Sequence, residues 1–307
     1  MATHKRKIYD VIKKARHPAE VPLTVLSALF SITAYGLITY VLIFGANDNE
    51  KLTQALGLFG IKARGINLII NIGGPAIFLI LLFLFFKLCI KCASEIGKLS
   101  IKYPRLQDSD FDKAKEIYDK MTSDLQLSTP PVVYITNSEK NKNKDKGKND
   151  NTIFGIRLNS SKAFSIESKI IEDAIEKDDY TEVEYEFAKN LGDIYLSHYN
   201  IPVIVFSFAF RMIPYFHELI ERTLYYSTDK FVSQVIGKEQ LMYNLYNSNF
   251  ENDPYPHGSK ESNIINIIKN VNEYEKVGRI YENFNSEKPI ITYRLEAIYY
   301  DKPGKIL

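Results

Sequence analysis

The sequence has no tryptophan and two cysteines in 307 residues, and its net charge is only +2. Cys89 and Cys92 form a lone CxxC with no second pair. That excludes a disulfide framework and a four-thiolate zinc site. The near-balance of charge removes any global argument for nucleic acid as a partner. No nucleophile elbow, Gly-rich phosphate loop or Ser/His/Asp order stands out. Lys, Ile, Asn and Tyr are abundant, a bias of AT-rich coding sequence rather than of function. The length allows one sizeable domain plus membrane segments.

Two long apolar runs are present. Residues 21–45 carry no charge, and the run exceeds the roughly 20 residues that cross a bilayer. Residues 66–90 form the second run, with Lys87 near its end, where a long side chain can snorkel. Gly73-Gly74-Pro75 in its first half predicts a kink or close helix packing. Residues 1–20 do not read as a cleavable signal peptide, because the apolar run is too long and no small-residue cleavage site follows. Basic residues set the topology. Lys5, Arg6, Lys7, Lys13, Lys14 and Arg16 precede the first run, and Lys91, Lys98, Lys102 and Arg105 follow the second. The expectation is an integral membrane protein with both termini cytoplasmic. It has a basic segment over 1–20, an antiparallel transmembrane hairpin over 21–90 and a cytoplasmic domain over 91–307. The basic flanks also suit contact with anionic lipid.

Within the domain, Ser109 or Asp110 caps an expected helix with Phe111, Ala114, Tyr118, Met121 and Leu125 on one face. Residues 132–136 and 152–158 are β-branched and read as a strand pair. The Lys/Asn/Asp/Gly-rich stretch 139–151 between them reads as a mobile tip. A helix is expected over 165–177. The central helix spans 183–200, with Val183, Phe187, Leu191, Ile194 and His198 in a buried stripe. Glu186, Lys189, Asn190, Asp193 and Ser197 fall on a second, polar face. Residues 201–210 are apolar but too short to span, so a core helix and an interfacial one are both open. Pro214 starts a helix expected to run through Tyr225 and Asp229 to Leu245, and a last long helix covers 263–281. The domain is therefore mainly α with a small β-sheet, an α+β class.

This order of elements resembles the membrane zinc metallopeptidases that include HtpX and the CAAX prenyl endopeptidases, metallopeptidase family 48. The landmarks are Pro130-Pro131-Val132-Val133-Tyr134-Ile135 before the hairpin, the central helix in the place of the HExxH helix, a following helix in the place of the ExxxD element, and Pro289 with Arg294 in the place of a closing His-Pro-(x)4-Arg. The resemblance covers roughly residues 106–299 and implies a zincin-like fold. In that family two histidines and a downstream glutamate hold zinc, and the glutamate within HExxH is the general base. Carried onto this sequence, the two ligand positions of HExxH hold Lys189 and Asp193, and the base position holds Asn190. The third ligand position is Tyr225, and Lys288 stands in place of the closing histidine. Gly192, Asp229, Pro289 and Arg294 keep residues that suit a scaffold.

A protonated lysine offers a metal no lone pair and repels a dication. Asparagine is no base near neutral pH, and a lone aspartate with a neutral tyrosine is a poor ligand set. The resemblance thus implies a pseudoprotease with no metal, no cofactor and no catalytic residues. Its partners would be the lipid bilayer and a membrane protein or extended peptide, or it would be a subunit of a membrane complex. Residues 152–158 are the candidate edge for β-augmentation. Lys189 and Asp193, at i and i+4, are placed to pair and to stand in for the charge of zinc beside Asp229.

Two other readings compete. One is an atypical metallopeptidase with ligands among His198, His217 and His257. His217-Glu218-Leu219-Ile220-Glu221 looks like half of HExxH but lacks the second histidine. The other is a structural anchor whose old cleft is filled by Tyr225 and Tyr226.

Overall fold

The computed structural model describes residues 7–44, 83, 86–87, 90, 100–136, 152–153, 156–157, 163–198, 210–211, 213–250, 260–269, 277–280, 283 and 288–306. In chain order the helices are α1 (Ile8–Ala15), α2 (Glu20–Phe44), α3 (Asp112–Asp124), α4 (Ser168–Lys177), α5 (Thr181–Tyr195), α6 (Pro214–Val235), α7 (Lys238–Phe250), α8 (Lys260–Lys269) and α9 (Ile291–Tyr300). The strands are β1 (Val132–Thr136), β2 (Thr152–Ile153), β3 (Ile156–Arg157) and β4 (Ala163–Glu167). The fold is mostly helical with a small two-stranded parallel sheet, as the α+β expectation has it.

α5 is the hub. Val183, Phe187 and Leu191 are fully buried and Ile194 nearly so, which is the stripe its spacing predicts. Helices α3, α4, α6 and α7 pack around it. The rings of Tyr118, Phe164 and Phe187 meet edge-on with centroids 5.3 to 6.3 Å apart, joining α3, β4 and α5 into one core. The Tyr118 hydroxyl donates to the carbonyl of Pro131, so the Pro-Pro turn ahead of β1 is tied to α3.

The strand pairing differs from the expected one. β1 pairs in parallel with β4, in the register Val132↔Ala163 to Thr136↔Glu167. Among the described residues of the segment 152–158, none pairs with β1; β2 and β3 form a two-residue antiparallel ladder of their own. A parallel pair needs a crossover of a dozen or more residues, and 137–162 supply it. Strand β4 occupies residues expected to start a helix at Ser165. Phe164 and Ile166 face the core from β4, and α4 begins only at Ser168. The tip over 139–151 lies outside the described residues.

The single helix expected from Pro214 to Leu245 is two. Gly237, at φ +97°, takes a left-handed conformation between α6 and α7. His198 lies beyond the end of α5, after Ser197 at φ 60°, yet stays buried. The last expected helix, 263–281, is helical in its described parts, Lys260–Lys269 and 277–280. Ile264 and Ile268 of α8 are buried, while Val271, Tyr274 and Tyr281 lie outside the described residues.

The amino-terminal helices meet at a sharp elbow over residues 16–19, with α1 and the first part of α2 (Glu20–Gly36) bent by 78°. Val11 and Ala15 of α1 are buried against the main core, and α1 packs on α6. α2 leans on α6 as well. Leu23 joins a small cluster with Phe210, Phe216, Ile220 and Leu224, Phe30 meets Phe210 edge-on, and Ser27 and Ser31 are fully buried. Val21, Val25, Leu26, Leu29 and Ile32 face outward and are more than half exposed. Among residues whose side chains are described, which in α2 end at Gly36, no single helix is long and apolar enough to cross a membrane; only the bent pair passes together. The second expected span, 66–90, lies outside the described residues except for 83, 86–87 and 90, which are helical.

Candidate functional site

The site is built where α5 and α6 cross. Gly192 makes the crossing close, since a Cβ there would stand 3.0 Å from Cδ1 of Phe231 and 3.5 Å from Cγ2 of Thr228. Beside that contact lies a cavity of about 120 Å³. Tyr185, Lys189 and Asp193 line it from α5, Leu224, Tyr225, Thr228, Asp229 and Val232 from α6, and Lys288 and Arg294 from the α9 end. Of the nine positions named by the resemblance to the metallopeptidases, Lys189, Asp193, Tyr225, Asp229, Lys288 and Arg294 line this cavity, and Asn190, Gly192 and Pro289 do not. Asn190 follows its own helix, with Nδ2 donating to the Glu186 carbonyl at 2.7 Å. Pro289 is buried beside Lys288 and ends the irregular chain before α9.

An ion pair fixes one wall. Arg294 Nε and Nη2 donate to the two oxygens of Asp229 at 2.7 and 2.6 Å. This fork-to-fork geometry joins α6 to α9. Burial opposes the Arg294 charge, but Asp229 and the Tyr185 hydroxyl outweigh it and hold the guanidinium above its ordinary value. Burial likewise pushes the Tyr185 phenol up, against the pull of Arg294 and Lys189. The Tyr225 ring lies between two cations, with Lys288 Nζ 5.9 Å and Arg294 Cζ 5.7 Å from its centroid. Tyr225 therefore lines the cavity without filling it. Tyr226 turns the other way, its hydroxyl donating to the carbonyl of Lys305 at 3.1 Å.

Asp193 faces the cavity and also starts a buried polar chain leading out of it. Thr228 Oγ1 donates to Asp193 Oδ1 at 2.8 Å. His198 Nδ1 is 3.9 Å from the same oxygen, and His198 Nε2 is 3.5 Å from Oε1 of Glu20. Glu20 accepts from Ser227 and from Arg16, and Arg16 also donates to the Leu196 carbonyl at 2.9 Å. The chain Asp193–His198–Glu20 thus joins the cavity to the first residue of α2. His198 is packed and provided with polar neighbours, as its place in the buried stripe suggests. Glu20, Ser227 and Thr228 are not legible in the sequence as site residues. The one signal is an acid standing between a basic segment and a long apolar run.

Lys189 Nζ donates to Glu186 at 3.1 Å, an i, i+3 contact on α5, and stands 5.6 Å from the centre of the Tyr185 ring. Both partners of the pair are about one quarter exposed. The ties between helices are made by Thr228 on Asp193 and by Arg294 on Asp229. A Lys189→Met protein is therefore expected to unfold within about 0.5 kcal/mol of the parent in denaturant titration. A melting temperature lowered by many degrees would instead make Lys189 the structural substitute for a metal.

Among the described residues, no group of three or more His, Cys, Asp or Glu side chains is arranged to hold a metal ion. His217 sits half-buried on α6, away from the cavity lining, and His257 lies outside the described residues. The arrangement suits polar recognition: two carboxylates, each held by a donor, beside two lysines and two phenol rings. Compared with known proteins, the chain matches no protein-family model, no curated protein and no solved structure.

Proposed function

We propose that this is a two-span membrane protein whose cytoplasmic domain is metallopeptidase-like in descent and works by binding. The reading has it hold a membrane protein or an extended peptide at the α5–α6 cavity, without zinc proteolysis. The observation that supports it is that six of the nine positions named by the resemblance, from Lys189 to Arg294, line one cavity. At the positions the resemblance assigns to the mechanism, Lys189, Asn190 and Tyr225 put an ammonium, an amide and a phenol where it needs imidazole, carboxylate and carboxylate. The outward apolar face of α2 supports the membrane part of the reading, because a row of large aliphatic side chains in water is costly.

Two measurements test it on the full chain. Elemental mass spectrometry of detergent-purified protein is expected to find no stoichiometric zinc, and one zinc per chain would overturn the pseudoprotease reading. A photo-crosslinking residue placed at the exposed Lys288, at the cavity rim, is expected to give a discrete adduct in host membranes. A Lys189→Trp change, which puts a large ring into the cavity, should abolish that adduct while the protein stays folded. Identical adducts in both proteins would remove the cavity from the binding reaction.

A further inference from the structure

Three side chains from distant parts of the sequence grip three consecutive backbone carbonyls. His17 Nε2 meets the Gly304 oxygen at 3.1 Å, Tyr226 Oη donates to Lys305 at 3.1 Å, and Arg222 Nη1 donates to Ile306 at 3.0 Å. Residues 302–306 thereby form a strap that crosses α6 and reaches the elbow between α1 and α2. Its start is fixed by the Lys302 amide on the Ala297 carbonyl. Gly304 is needed at the crossing, since a Cβ would stand 2.0 Å from the Tyr226 ring. The other side of the strap contact is His17, whose ring stacks on Tyr226 with centroids 5.8 Å apart.

The hydrogen bonds of His17 define its tautomer. Nδ1 accepts from the backbone N–H of Ala19 at 3.1 Å, so the ring proton sits on Nε2 and is donated to Gly304. A second proton has one place to go, Nδ1, where it would face the Ala19 N–H donor. The charged ring cannot keep its present position, and the turn that starts α2 must give up either the Ala19 contact or the Gly304 contact.

We propose that His17 is a proton-operated latch, which holds segment 302–306 against the elbow of α2 while its ring is neutral and releases it in mild acid. The charged groups that act on His17 are Glu20 from α2 and Lys230 from α6, and the Tyr226 ring of α6 stacks on it. Glu20 favours the charged ring, but its oxygens already accept from Ser227 and Arg16. Ser227 also accepts from the His17 amide at 2.8 Å, so the carboxylate and the elbow backbone are bound together. Lys230 disfavours a cation here and is itself paired with Asp301 at 3.4 Å. The balance lowers the His17 pKa. Burial is the largest influence and lowers it, the Gly304 bond and Glu20 raise it, and Lys230 lowers it. A folded value below the ordinary one means that the unfolded chain binds more protons in that window. The stability the latch contributes is full above about pH 6.5 and is lost as the pH falls through the lower folded value. Release would bare the carbonyl-binding side chains Arg222 and Tyr226 and free the elbow from α9.

The test is hydrogen exchange on the full chain in detergent at pH 7.5 and 5.5, corrected for intrinsic rates. The amides of Ala19, bonded to the His17 ring, and of Lys302, bonded to the Ala297 carbonyl, are expected to lose roughly tenfold in protection at the lower pH. In a His17→Gln protein, whose amide can donate to Gly304 but does not titrate, the protection should not depend on pH. Unchanged protection in the parent protein, or an equal loss in both proteins, would overturn the latch. Should the variant fold poorly, imidazole resonances of the parent protein decide the matter. A His17 ring that becomes charged while the Ala19 and Lys302 amides stay protected would overturn it too, and loss of protection that tracks the His17 titration would support it.

Discussion

An Arg294→Ala protein is expected to lose about 3–5 kcal/mol of stability, because truncating one partner of a buried ion pair leaves the other charge uncompensated. Asp229 is 5% exposed and has both oxygens on the guanidinium fork. The loss would leave a carboxylate facing a small polar cavity, with Tyr185 and Tyr225 robbed of the cation that orders them. Arg294→Lys keeps a charge but not the two parallel donors, so it should fall between. A double Asp229→Leu, Arg294→Met change should recover most of the loss, since a well-packed apolar pair of similar size is often as stable as the buried ions. Denaturant titration of the four proteins separates the cases. A loss under about 1 kcal/mol for Arg294→Ala would mean that Asp229 is served by solvent, and the cavity wall would not be rigid.

A Glu20→Ala change is expected to cost a similar 3–5 kcal/mol, from a different region of the molecule. Glu20 is 3% exposed and gathers Arg16, Ser227 and His198 around one carboxylate. Removing it takes the carboxylate from the buried His198 ring and from the part-exposed Arg16, and leaves the Ser227 hydroxyl with the Thr223 carbonyl as its acceptor. The damage should be local at first. Proteolysis and hydrogen exchange should show residues 16–24 opening before the α5 core does, because Val183, Phe187 and Leu191 do not depend on the elbow. Glu20→Gln, which keeps an acceptor oxygen, should cost less than half as much. If both variants are neutral, the polar chain from Asp193 to α2 carries no coupling between the cavity and the membrane helix.

The sequence made the hub readable, because a stripe at 3.6-residue spacing on α5 is a local pattern and its burial follows directly. The strand pairing was not readable. Which strand joins β1 depends on where a long crossover returns, and Ser165 looked like a helix start when it is the middle residue of β4. The break at Gly237 was also missed, since an apolar period continues across it and only the positive φ reveals the turn. The cavity positions were legible through the resemblance, but their partners were not. Thr228, Ser227 and Glu20 act on residues that are 35 and more than 200 positions away in sequence, and no spacing rule connects a hydroxyl on one helix to a carboxylate on another.

The 78° elbow makes the amino terminus a crank. If α2 stands upright in a bilayer, α1 lies nearly flat along its surface, a rigid arm eight residues and about 12 Å long. A bilayer that thins or thickens tilts an upright helix. A tilt of roughly 10° would swing the far end of such an arm by about 2 Å. α1 is packed on α6, and α6 supplies five of the cavity-lining residues. α2 leans on α6 as well, so a tilt of α2 would load α6 at two points, through the helix itself and through the arm.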